Sequence, residues 1–243
     1  MTDSDHPARI RIGHCCLLTL LLLLGGCQSH PSRDDPVKAR AFEFGNLAKA
    51  DVDMVAEINV QHSMGYLREL ARKLYVRNPN QLRVSGFGSR DAALRALFAP
   101  GAGAHFAGLQ NHRSSDAIAL AFDDRFQGDR VAAFVHGMRT MLLDGYGGKH
   151  RFYLPDLLDP QKLHYLARNF EIAFWKLGHD RNEQGEFFLL SNSLAGTGDL
   201  SFERIAGKLI GLQDHMAQVV ADSSNRQIKN VIQSVASAVF FPI

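Results

Sequence analysis

The stretch DPQKLHYLARNFEIAFWKL, residues 159–177, decides the fold class. Asp159 followed by Pro160 is a helix start: the aspartate can accept an orphan N–H, and proline suits the first helical position. At 100° per residue Leu163, Leu166, Ala167, Phe170, Ala173, Phe174 and Leu177 fill one arc, and Tyr165, Ile172 and Trp175 stand on the opposite one. A helix apolar on two sides is expected to be sandwiched at the centre of its domain. Arg168 falls inside the second stripe and Glu171 one turn later at its edge, the i, i+3 spacing at which charged side chains meet. A buried charge without a partner costs several kcal/mol, so a structural ion pair beside a packed Trp175 is the expectation. The sharper alternative is a ligand groove in which Arg168 holds an anion beside Tyr165, Glu171 and Trp175.

Helix signals dominate on both sides of this stretch. Upstream, a helix is expected over 51–76, with Val55, Ile58, Leu67, Leu70, Ala71 and Leu74 in one stripe and Asn78-Pro79 as its stop. Ser89 caps a short helix through Phe98, and Ser115 opens another to Phe122. Between them the Gly- and Ala-rich run 99–113 reads as a long loop or lid. Residues 129–143 are amphipathic, with Val131, Phe134, Val135, Met138 and Leu142 on one face and Gly145 closing the helix. Downstream, Asp199 or Ser201 caps a helix to about Ala221, and a last helix is expected over 226–239. Only 151–154 and 186–190 read as extended. The predicted fold is all-α, an irregular multi-helix bundle with at most one small β-hairpin.

The possible chemical motifs give way to simpler readings. Gly86-Phe87-Gly88-Ser89 lacks the third glycine of a dinucleotide fingerprint and a preceding strand, so it reads as a turn and N-cap. Gly147-Gly148-Lys149-His150 has His where a phosphate loop needs Ser or Thr for Mg²⁺. His62, His105, His112, His136, His150, His164, His179 and His215 show none of the short spacings of a zinc site. No G-x-S-x-G elbow or S-x-x-K pair activates a serine. Asp180-x-Asn182-x-Gln184-Gly185-x-Phe187 resembles the first eight positions of a calcium loop, yet Ser191 stands where a bidentate glutamate belongs. A helix-to-strand turn is the preferred reading there. No catalytic residue, metal or cofactor is therefore expected.

The N-terminus carries the most specific signal. Arg9 and Arg11 precede an uninterrupted apolar run, CCLLTLLLLL at 15–24, too short for the roughly 20 residues that span a bilayer. Leu24-Gly25-Gly26-Cys27 follows, and resembles the lipobox of bacterial lipoproteins. The resemblance implies cleavage between Gly26 and Cys27, lipidation of Cys27 and stable anchoring through more than one acyl chain. Gln28 in place of aspartate implies the outer membrane, facing the periplasm. Cys15 and Cys16 would leave with the signal, so the three cysteines of the chain leave no free thiol in the mature domain. Residues 1–26 are thus read as signal, 27–40 as lipidated cysteine and tether, and 41–243 as one helical domain of a size that buries about 70% of its unfolded surface. The net charge of +2 comes from scattered residues, which argues against nucleic acid as a partner.

The segments DRVAAFVHGMRTMLL, YLPDLLDPQKLHYLARNFEIAFWKL, FFLLSNS and LSFERIAGKLIG look like an uncharacterised family of proteobacterial lipoproteins. That resemblance implies the envelope location and brings no activity with it. The expectation is a non-catalytic envelope component with a membrane anchor and a protein partner. The competing expectation is a periplasmic module binding a small ligand between helices, under the 99–113 loop.

Overall fold

Capping residues set where the helices start. In the computed structural model Ser89 Oγ accepts Ala92 N–H at 3.2 Å, Asp129 Oδ1 accepts Ala132 N–H at 3.0 Å, and Asp159 Oδ1 accepts Gln161 N–H at 2.9 Å. The structure describes residues 51–153, 158–191, 200–224 and 239–243. These form seven α-helices: α1 (Asp51–Arg77), α2 (Pro79–Val84), α3 (Arg90–Leu97), α4 (Ser114–Ala121), α5 (Arg130–Gly145), α6 (Pro160–His179) and α7 (Ser201–Ser224). A 3₁₀ turn, Ala102–His105, lies between α3 and α4. All the described residues belong to one compact unit, Ala48–Ile243. The fold is all-α, and the expected hairpin reduces, among the described residues, to one isolated antiparallel bridge between Arg181 and Phe187. The expected signal and tether, and the helix at 226–239 apart from Val239, lie outside the described residues.

The central helix is α5, where the sequence points to α6. Every residue from Val131 to Met138 is buried, including Ala132, Ala133 and Gly137 on the face away from the bulky side chains. That face admits α4 at backbone contact: a Cβ on Gly137 would stand 2.7 Å from both Ile118 N and Ser114 O. Ser114 opens α4 one residue earlier than expected, at a positive φ of 46°, held by Thr140 Oγ1 on its N–H and Asp144 Oδ2 on its hydroxyl. α6 pairs chiefly with α7, and α1 lies against both α5 and α7. Large buried side chains, among them Phe134, Tyr146, Phe152 and Phe170, fill the core between these helices. Phe134 makes edge contacts with Phe122 and Phe174.

α1 departs from its expected face. Leu67, Leu70, Ala71 and Leu74 are buried as predicted, but Val55 and Ile58 are 37% and 40% exposed. The first half of the helix turns Asp53, Glu57, Asn59 and Ser63 inward instead. Partners explain the choice. Asn59 Nδ2 donates to Tyr146 Oη at 3.0 Å and to Leu212 O at 2.9 Å; Tyr146 donates to Gln213 Oε1 at 2.9 Å; Gln213 Nε2 donates to Ser63 Oγ at 2.9 Å. Glu57 Oε1 accepts the N–H of Phe152. A buried polar chain with its bonds made sets the register of α1 and α7 against the end of α5.

The 99–113 run is pinned: Phe106 and Leu109 are buried, and Gly101 and Gly108 take the positive φ its turns need. Gly103 packs on the ring of His136, which a Cβ there would approach at 3.3 Å.

Candidate functional site

Of the four groove residues, the structure joins two directly. One terminal nitrogen of Arg168 stands 3.0 Å from Glu171 Oε1, the expected i, i+3 ion pair, and donates to Asp214 Oδ2 on α7 at 2.7 Å. Asp214 had no signal in the sequence, because only the packing of α7 on α6 brings it within reach. Its other oxygen stands 3.9 Å from Nδ1 of His164. The cluster sits at a half-wet seam, with Arg168, Glu171 and Asp214 side chains 26%, 31% and 41% exposed. Burial raises the Glu171 carboxyl against the opposing pull of Arg168, with Asp214 adding to the rise. Burial and Arg168 together lower the His164 imidazole, against Asp214. The Nε of Arg168 is buried without a hydrogen-bond partner.

The two aromatic members point to different neighbours. Trp175 stacks on His179 one turn further along the same helix, with centroids 4.7 Å apart, and His179 Nδ1 stands 2.8 Å from Trp175 O. It is half-buried on its own helix and does not build a second apolar layer. Tyr165 stacks on Phe241, centroids 5.0 Å apart and rings parallel within 1°. Beside it, Asn169 is fully buried and holds the backbone of the same Phe241: Oδ1 accepts its N–H at 2.7 Å and Nδ2 donates to its carbonyl at 2.9 Å. The second face of α6 is thus covered at Ile172, which is buried, and at Tyr165 and Asn169 by residues 239–243. Asn169 was missed from the sequence. An uncharged amide facing inward on an otherwise apolar helix was the available signal.

The calcium-like segment is a turn closed on itself. Asp180 pairs with Lys176, and Asn182 Oδ1 accepts the N–H groups of Gln184 and Glu186 at 3.1 and 2.7 Å. Gly185 supplies a φ of +79°. Among the described residues no three His, Cys, Asp or Glu side chains converge as metal ligands. Under the 99–113 run, His136 is 5% exposed and its Nδ1 is buried with no hydrogen-bond partner. Burial, with the Arg139 and Arg113 charges, lowers its pKa to about 4, against a hydrogen bond to the His112 backbone. A shallow depression on α1, lined by Gln61, His62, Gly65, Tyr66 and Glu69, contains none of these residues.

Compared with known proteins, the chain matches no family model, no curated protein and no solved structure.

Proposed function

We propose that this protein is a lipid-anchored envelope protein whose helical domain, held at the periplasmic face of the outer membrane, binds or positions another envelope component without catalysis. The tetrapeptide Leu24-Gly25-Gly26-Cys27 carries the reading, because it follows directly on an Arg-flanked apolar run of signal length. The domain adds support: Arg168 is engaged with Glu171 and with Asp214. Among the described residues no helix is long and apolar enough to cross a membrane, so in this reading the lipid on Cys27 is the anchor. Cys27→Ser tests it. The variant should lose labelling by palmitate analogues and accumulate unprocessed or soluble; continued labelling and outer-membrane fractionation would defeat the reading.

A second reading, a small ligand between helices, draws on the unpartnered Nδ1 of His136 beneath the 99–113 run. Purification from detergent-solubilised envelope separates the two. A stoichiometric protein partner favours the first, and a co-purifying small molecule the second.

A further inference from the structure

We propose that the outer face shared by α1 and α7 docks on an anionic phospholipid surface through Arg68, Arg72, Lys73, Arg204 and Lys208. This rests on the anchoring at Cys27 only for nearness to a membrane; the face itself is read from the folded domain.

In the sequence these cations lie on two distant segments, and packing gathers them. Ser63 meets Gln213, Lys208 Nζ stands 4.9 Å from the ring centre of Tyr66, and Lys73 Nζ stands 6.0 Å from that of Phe202. The two helices therefore run antiparallel, with Arg68, Arg72 and Lys73 on one ridge beside Arg204 and Lys208 on the other. Arg68, Arg72, Arg204 and Lys208 are exposed, and Lys73 is half-buried. None of these cations meets a carboxylate among the described residues, whereas Arg113 pairs with Asp144, Arg125 with Asp123 and Lys176 with Asp180. Their contacts are with rings instead, and Arg68 lies over Phe98 at 4.6 Å. A ring face holds a cation without cancelling its charge. Glu69 is the acid on this stripe of α1, too few carboxylates to balance it. Glu203 stands three turns before Asp214, and so with it on the α6 side of α7.

The face ends in apolar groups. Val76 follows Arg72 and Lys73 by one turn and is 55% exposed; Leu200 precedes Arg204 by four residues and is 68% exposed. The Lys73–Phe202 contact sets these two ends side by side. A nucleic-acid backbone offers exposed Val and Leu nothing to meet. The boundary between headgroups and acyl chains meets both kinds of group: anionic lipid attracts the cations, and the apolar side chains enter between headgroups. With Cys27 held in the same membrane, the domain has only to tip onto this face.

The test uses the full-length chain carrying Val76→Trp, which places an indole at the apolar end of the face. It is mixed with phosphatidylcholine vesicles whose acyl chains carry bromine, a contact quencher, with or without phosphatidylglycerol. The indole should be quenched about twofold with phosphatidylglycerol present, and hardly at all without it. About 1 M salt, which shortens screening to roughly 3 Å, should abolish the quenching. Arg72→Glu with Arg204→Glu should abolish it too, and the salt arm tests the same charges should that variant not fold. The chain without Val76→Trp is the reference: its only tryptophan, Trp175, lies on α6 and should stay unquenched. Equal quenching in both kinds of vesicle, quenching in neither, or quenching of Trp175 overturns the docking. So does an acidic protein that binds the chain stoichiometrically, is lost with the double substitution, and accompanies an unquenched indole. Flotation on vesicles without phosphatidylglycerol reads the anchor alone, so failure of the face and failure of the Cys27 reading are told apart.

Discussion

The hydroxyl of Tyr75 donates to Oδ2 of Asp129 at 2.6 Å, so a buried carboxylate at the start of the central helix has a partner on each oxygen. Oδ1 caps α5 through Ala132 N–H. Burial still dominates and raises the Asp129 carboxyl to about 6, and burial beside that carboxylate pushes the Tyr75 hydroxyl well up from its ordinary value. Tyr75→Phe leaves one oxygen of a buried anion without a donor. Urea unfolding at pH 8 should show a loss of about 1–3 kcal/mol. The loss should shrink at pH 5, where the carboxyl holds a proton.

Asp129 and His136 set opposing pH dependences on one helix. Asp129 is raised from 3.8 to about 6, so between those values the folded chain holds a proton the unfolded chain has released. Its contribution to stability therefore rises as pH falls through 6. His136 is lowered from 6.5 to about 4, so over that window the unfolded chain binds the extra proton and stability falls with pH. Relative to wild type, Asp129→Asn should lose stability between pH 6.5 and 4, and His136→Leu should gain it. Each change is on the order of 2–3 kcal/mol. Parallel curves for wild type and both variants would refute the assignment.

Two helical glycines should respond in opposite senses to alanine. At Gly137 the added Cβ meets backbone atoms of α4 at 2.7 Å, which cannot give way as a side chain can. Gly137→Ala should cost about 3 kcal/mol, near the upper end for overpacking. Gly65 is exposed in the middle of α1 with nothing within 4 Å of the same position. Gly65→Ala should raise stability by about 0.5–1 kcal/mol through helix propensity alone. Thermal melts followed by circular dichroism distinguish the two.

The Arg168 cluster is predicted to be modest in energy. Its three side chains keep a quarter or more of their surface in water, which screens the pairs. Arg168→Met should cost about 1–2 kcal/mol, and Asp214→Asn about 1 kcal/mol or less. The double variant should cost less than their sum. A loss of 4 kcal/mol or more for either single change would mean that the seam is dry.

What was legible in the sequence was local. The caps at Ser89 and Asp159, Pro160 at the first position of α6, and the Arg168–Glu171 pair all act within a turn or two of chain. Their physics needs only neighbours three or four residues away. The apolar stripe of the second half of α1 was legible for the same reason.

The inward face of the first half of α1, the choice of α5 as the central helix, and the partners of Arg168 and Asn169 were decided by tertiary structure. Val55 and Ile58 lost the interior to Asn59 and Ser63 because Tyr146 and Gln213 wait there with matching bonds. Asp214 lies 46 residues from Arg168, and Phe241 lies 72 from Asn169. The sequence by itself determined most of the helices and where several begin, though not the short α2 that follows the expected stop at Asn78-Pro79; packing alone decided which polar groups went inside. A buried polar group is stable only against a particular partner, and no periodicity within one helix encodes a partner on another.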